Sequence, residues 1–300
     1  MGQPAQATSV HAVATRRLGL VGDYVALTKP KVQSLLLLTT VAAMEIAGDP
    51  SLGLIIATVV GGYLSAGGAG AFNHWYDRDL DAAMARTADR PVPSGRVSPR
   101  AALTFGLVLA LLAVVWLTVL VNPLAAALSF SGFLGYTLVY TVWLKRRTAQ
   151  NIVIGGAAGA VPPLVGWAAV TGGLDGTALY LFAIVFFWTP PHFWALSLLM
   201  KDEYAAVKVP MLPVVRGERE TRRQILLYSI LLYAVSQLIF CGDGFGVFYL
   251  VSSLLLGAAF IGLSVRLMRR ADRRSALTLY LFSLAYLALL FVAMVVDVRL

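Results

Sequence analysis

The sequence predicts an all-α, polytopic membrane protein of nine transmembrane helices around a central cavity, and three observations lead there. Of 300 residues, 59% are hydrophobic and only 13% charged, more apolar than a soluble globule accommodates. Nine apolar segments reach the roughly 17 to 25 residues that a hydrocarbon core about 30 Å thick requires of a helix. Threading the chain through nine spans also sorts its positive charges to one side.

In order, the segments are approximately 31–48, 52–73, 101–121, 123–144, 151–172, 176–199, 225–241, 245–267 and 277–296. The first and seventh are short and weakly bounded; the third, fourth, eighth and ninth pass on length and apolarity alone. The second ends in Gly67, Gly68 and Gly70, small residues that let helices approach closely, and Gly155 and Gly159 give the fifth the same capacity. Pro162–Pro163 and Pro190–Pro191 are expected to break the hydrogen-bond ladders of the fifth and sixth spans, and such breaks persist where neighbours or a cavity satisfy the freed carbonyls.

Cytoplasmic loops retain Lys and Arg. With the N-terminus inside, the five inside stretches hold 4, 5, 3, 6 and 5 of them, 23 of the 24, with only Arg299 outside. A missed or invented helix would invert every later loop and scatter these charges. The chain is therefore expected in the plasma or inner membrane, N-terminus cytoplasmic and C-terminus outside, with residues 1–22 a cytoplasmic tail and 23–300 one transmembrane domain. The tail has no apolar core resembling a signal peptide, so the first span serves as the insertion signal. Basic inside loops account for the net charge of +9 without nucleic acid and favour anionic headgroups of the bilayer. The single Cys241, in a predicted outside turn, excludes an intramolecular disulfide.

Two inside connections, 74–100 and 200–224, are long, and long polar loops on a membrane protein carry function. They hold eight of the fifteen acids. Asp79, Glu218 and Glu220 read as solvated loop residues answering nearby arginines. Asn73, Asp77 and Asp81 recur every four residues, which stacks them on one helical face, where like charges repel. A divalent cation resolves the repulsion, because Mg²⁺ takes hard oxygen ligands, tolerates one or two carboxylates and completes its shell with water and substrate phosphate. Arg86, Arg90 and Arg96 follow at once, and guanidinium groups grip phosphate oxygens in a fork. Acids with arginines therefore suit a magnesium diphosphate, against the competing reading of a structural ion-pair network.

The second stretch, Leu-Met-Lys-Asp-Glu-Tyr at 199–204, stands to the sixth span as the first motif stands to the second, which suggests two helix ends facing each other across one site. Asp202 is the candidate second metal contact, Lys201 and Lys208 candidate phosphate partners, and Tyr204 a candidate hydrogen-bond donor to leaving diphosphate. A snorkelling lysine or interfacial tyrosine would look the same. His192 lies at membrane depth, where an ionisable side chain is expensive and marks function by default. It can ligate iron, shuttle a proton or bridge helices. Trp188, Phe193 and Trp194 offer an aromatic lining for a large apolar substrate or a carbocation, or are ordinary core.

The chain resembles the UbiA superfamily of intramembrane prenyltransferases over roughly residues 23–295. The resemblance rests on Asn-His-Trp-Tyr-Asp-Arg-Asp-Leu-Asp at 73–81, Met-Ala-Arg-Thr at 84–87 and Arg-Pro-Val-Pro at 90–93. Lys-Arg-Arg-Thr at 145–148 with Asn151, Thr-Pro-Pro-His-Phe-Trp at 189–194 and Val-Pro-Met-Leu-Pro-Val-Val at 209–215 resemble its heme-prenylating branch. The resemblance implies transfer of farnesyl from farnesyl diphosphate to the 2-vinyl group of heme b, giving heme O for terminal oxidases, with handover to a heme A synthase or an oxidase. It implies that Asn73, Asp77, Asp81 and Asp202 hold Mg²⁺ and form the catalytic set with Tyr204. Arg86, Arg90, Arg147, Lys201, Lys208 and Trp194 would bind substrate, as would His74 and His192, which match the family's histidines and would position heme. The later motif departs from the superfamily pattern, with Ala206 where a second aspartate commonly stands, so Tyr204 and Lys208 would replace part of a second magnesium site.

A sister enzyme prenylating a quinone precursor or a chlorophyll-like alcohol would share the metal motif but lack His192 in its Pro-Pro-His-Phe-Trp setting. A secondary transporter also breaks helices and buries polar groups, but places its coupling carboxylates near the midplane. A non-catalytic heme carrier would leave the acidic face unexplained.

Overall fold

The computed structural model describes residues 19–238 and 244–300, and among them every regular element is helical. They run α1 (Gly19–Leu27), α2 (Pro30–Ala47), α3 (Leu52–Tyr76), α4 (Arg78–Ala83), α5 (Pro99–Leu120) and α6 (Pro123–Leu134), which continues as a π-helix over Gly135–Leu144. Then come α7 (Asn151–Gly159), α8 (Val161–Thr171), α9 (Gly176–Leu199), α10 (Lys201–Ala206), α11 (Leu212–Val215), α12 (Gly217–Leu238), α13 (Val247–Arg270) and α14 (Arg273–Arg299). The turn around Cys241 lies outside the described residues.

Local chemistry sets the helix ends. Ser51, Ser98, Asn122, Asp175 and Asp272 each accept from the amide three residues on, capping α3, α5, α6, α9 and α14, and Pro99 and Pro123 occupy first turns where their missing N–H costs nothing. Gly172 closes α8 in the left-handed region at φ 69°. Ser51, Asn122, Gly172 and Asp175 keep the turns opposite the long loops short.

The number of spans differs from the nine expected. Among the described residues seven segments are long and apolar enough to cross a bilayer, counting α6 with its π-helix and α7 with α8 as one each. The other two are α2 and α12, the weakly bounded pair. Within 18 residues α2 carries Lys31, Gln33 and Glu45, and α12 opens with the charged run 218–223, so neither is apolar throughout. Both nevertheless pack in the bundle, α2 against α8 and α14, α12 against α9 and α13. The paired prolines also behave differently. Pro162–Pro163 mark the interruption between α7 and α8, as expected, whereas α9 runs through Pro190–Pro191 without ending.

Where α5 packs in the bundle it buries small residues and turns large ones outward. On α5, Ala102, Gly106, Ala110 and Ala113 face inward while Leu107, Leu111, Val115 and Val119 form an outward stripe. In water that stripe would oppose folding; facing lipid it does not, and close backbone contact holds the interior. Gly68 of α3 and Gly106 of α5 meet so closely that a Cβ on either would lie under 3.0 Å from the other's carbonyl oxygen. A Cβ on Gly70 would lie 2.8 Å from the carbonyl of Leu27. Gly70 thereby lets the end of α1 sit against α3, which brings Lys29 to the site.

Candidate active site at the loop face

The acidic face spans a helix junction. Asp77 separates α3 from α4, yet its amide donates to Asn73 (2.9 Å) and the Asp81 amide donates to Asp77 (2.8 Å), so helical register passes through. Asn73, Asp77 and Asp81 therefore share one face, and all three are buried. Burial of carboxylates is costly unless they are paired and hydrogen-bonded. Asp77, with no exposed surface, receives the Asn73 amide at 2.7 Å, an ion pair with Lys145, and Arg146 at 3.3 Å. Asp81 holds Arg90 through both oxygens, at 2.9 and 2.8 Å. Lys29, at φ 54°, donates to Asn73 Oδ1 at 2.6 Å. Burial, then the charges of Arg90 and Lys145, push its amine down to about 7.

The arginine loop folds over this face. The Thr87 hydroxyl donates to the Asp81 carbonyl at 2.9 Å, and Arg96 ties the loop to buried Asp23 of α1 and to Asp89, each at 2.9 Å. Between loop and helices opens a cavity of about 440 Å³ lined by Lys29, His74, Arg86, Arg90 and Arg96, with Asp89 as its one acid. His74 belongs to this basic pocket, apart from His192, and its buried Nδ1 has no hydrogen-bond partner among the described residues.

The second loop meets the first through Arg86 and Glu203, 3.9 Å apart. Tyr204 packs into the core of α9 and α12, and burial pushes its phenol up. Asp202 is exposed. Two residues turn a helix about 200°, so a Tyr204 facing inward leaves Asp202 facing out. Among the described residues no three carboxylate or imidazole side chains converge on one point, and Asp202 does not join Asp77 and Asp81. Lys201 is engaged by Glu218 of α12 at 3.0 Å, holding that carboxyl below its usual range, and Lys208 is exposed. Asp79 pairs with Arg146 through both oxygens at 2.7 Å, which lowers its carboxyl likewise. The Lys-Arg-Arg run also divides differently from the expectation: Lys145 and Arg146 touch the acids, and Arg147 is exposed. The π-helix decides this, since the Lys145 amide bonds five residues back to Tyr140 rather than four.

His192 lies between α9 and α14, buried, stacked on Trp188 at 4.3 Å and on Tyr280 at 4.9 Å, with Nδ1 2.6 Å from the Ser283 hydroxyl. Trp194 is buried edge-on to Tyr228, its indole N–H without a partner among the described residues, while Phe193 is exposed. Lys29, Lys145, Arg146 and Ser283 were not singled out from sequence. Only Lys145 and Arg146 left a local signal, as members of the basic run.

A buried row of oxygen donors under a basic pocket offers hard ligands to a divalent cation and positive charge to an anion. The sequence matches the UbiA prenyltransferase family over residues 35–293. It is 55% identical to a protein of Symbiobacterium thermophilum named protoheme IX farnesyltransferase, over 93% of this chain and 95% of that one. A Chloroflexus aurantiacus protein of the same name is 54% identical over 93% of this chain, which spans only 48% of that relative's length. In structure, a UbiA homolog from Archaeoglobus fulgidus bound to DMAPP and Mg²⁺ superposes with a TM-score of 0.70 at 15% identity, covering 91% of this chain and 99% of that one. On the extent of its sequence match, this chain belongs to the UbiA prenyltransferase family.

Proposed function

We propose that this chain transfers the farnesyl group of farnesyl diphosphate to the 2-vinyl group of heme b, with water adding across the vinyl carbon, to give heme O and diphosphate. The observation that carries the prenyl-transfer reading is the buried Asn73–Asp77–Asp81 face beneath a pocket ringed by Lys29, Arg86, Arg90 and Arg96. The acceptor is supported by relatives above 50% identity bearing that enzyme's name.

The donor set fits Mg²⁺, being one amide and two carboxylate oxygens on one face, and Asn73, Asp77 and Asp81 would hold it. Bound there, the metal would supply Lewis-acid stabilisation of charge on the departing diphosphate. Arg90 and Arg86 bind the free phosphate oxygens, and Lys29 and Lys145 add positive charge at the acidic face. Tyr204 donates to the leaving group from the second loop, and lipid-facing helices keep the allylic cation from bulk water. His192 and Trp188, which share the face of α9 toward α14, form the acceptor side, whereas Trp194 turns to α12 and packs on Tyr228. The chain sits in the cell membrane with both long loops in the cytoplasm, where diphosphate is released.

The test is turnover of purified protein with Mg²⁺, heme b and farnesyl diphosphate, followed by mass-resolved chromatography beside Asp77→Ala and Asp81→Ala. Heme O from the parent, and at least a hundredfold less from either variant, is expected. Equal product from the variants would refute the assignment of the acidic face.

A further inference from the structure

Ser283 of α14 is wholly buried opposite His192. Its hydroxyl makes two contacts of 2.6 Å, one to the Tyr280 backbone carbonyl and one to His192 Nδ1. A carbonyl oxygen only accepts, so the single hydroxyl proton is committed to Tyr280. The contact with His192 is then a hydrogen bond only if Nδ1 carries the proton and donates it. Neutral imidazole has one N–H, which leaves the lone pair on Nε2. Nε2 has no hydrogen-bond partner among the described residues.

The ring cannot turn to exchange its nitrogens cheaply. It lies between Trp188, 18° from parallel, and Tyr280, 27° from parallel. The Trp188 indole N–H donates to the Ser283 carbonyl at 2.7 Å, so the serine is itself pinned to α9. The hydroxyl thus selects the tautomer, while the aromatic stack holds the ring and the backbone bond holds the serine.

We propose that Ser283 is a positioning residue that locks His192 as the Nδ1–H tautomer, so that its Nε2 lone pair becomes an axial ligand to the iron of the heme acceptor. This rests on the heme reading above. The step forms one dative Nε2–iron bond and moves no proton, since Nε2 is already unprotonated. The other tautomer must first relocate a proton inside an apolar stack. Partners on the far nitrogen of a metal-ligating histidine set tautomer and orientation, and losing them costs about 10–100-fold in affinity.

The experiment titrates the full-length protein with ferric heme b, reading the Soret band and the low-spin electron paramagnetic resonance signal. Nitrogen-15 NMR of histidine-labelled, ligand-free protein runs in parallel, with the His192 signal assigned by its loss in His192→Ala. The parent is expected to give a histidine-ligated heme spectrum, absent in His192→Ala, and an Nδ1–H imidazole. Ser283→Ala should bind heme about 10–100-fold more weakly, with altered spectra and mixed tautomers, and Ser283→Thr, which keeps the hydroxyl, should restore both. An Nε2–H imidazole in the parent, or a Ser283→Ala variant unchanged in tautomer and heme spectrum, overturns the proposal. Farnesylation of heme by a parent that shows no histidine-ligated spectrum overturns the ligand role and leaves the acceptor reading standing. A parent that neither binds nor farnesylates heme overturns both.

Discussion

Lys145→Met removes the cation closest to Asp77, and the structure sets the size of the loss. Breaking a buried ion pair by removing one partner costs about 3–5 kcal/mol. Asp77 has no exposed surface, but keeps Arg146 at 3.3 Å and the Asn73 amide at 2.7 Å. Roughly half the cost should remain, about 2 kcal/mol of unfolding free energy. A divalent cation at the same carboxylate replaces the lost charge, so Mg²⁺ with diphosphate should stabilise Lys145→Met more than the parent and recover most of the deficit. Arg147→Met, one position away and exposed, should change neither quantity. Denaturant titration in detergent, with and without Mg²⁺ and diphosphate, measures both. Equal losses in the two variants would refute the assignment of Lys145 to the acidic face. Equal stabilisation of Lys145→Met and parent by magnesium diphosphate would refute Asp77 as a metal ligand.

Three further outcomes follow from the same geometry. Gly70→Ala places a methyl 2.8 Å from the Leu27 carbonyl, and overpacking of this kind costs about 1–3 kcal/mol; it should lower the melting temperature and raise the KM for farnesyl diphosphate by displacing Lys29. Arg90→Lys keeps the charge and one nitrogen for Asp81, which Arg90 holds through Nη1 alone, but loses the planar fork for phosphate oxygens, so KM should rise about tenfold, and about a hundredfold in Arg90→Ala, as steady-state kinetics would show. In a Cys241→Ser background, a membrane-impermeant maleimide applied to intact cells should label Asp49→Cys and spare Asp89→Cys. Labelling in the reverse order would invert the proposed orientation.

Spans were legible wherever apolarity was continuous, because the bilayer imposes one length on every helix that crosses it. Among the described residues α2 and α12 fall short of continuous apolarity because of their polar residues, yet both pack in the bundle. The acidic face was legible because its period of four survives the junction at Asp77. Its cations were not. Lys29 reaches Asn73 only because Gly70 admits the end of α1, and Lys145 reaches Asp77 only because a π-helix shifts the winding before it. Asp202 read as a partner from its place in the chain, but on a six-residue helix rotation is fixed by Tyr204. Ser283 stands 91 residues from His192, and nothing local to either announces the contact.

The most direct test of the account is a competition. Purified protein with Mg²⁺ and farnesyl diphosphate receives equimolar heme b and an aromatic acid of the quinone-precursor type, and both farnesylated products are quantified by mass-resolved chromatography. The account predicts heme O as the product, lost in Asp77→Ala. Farnesyl on the aromatic acid, with heme b unchanged, would contradict the heme assignment and leave only the family.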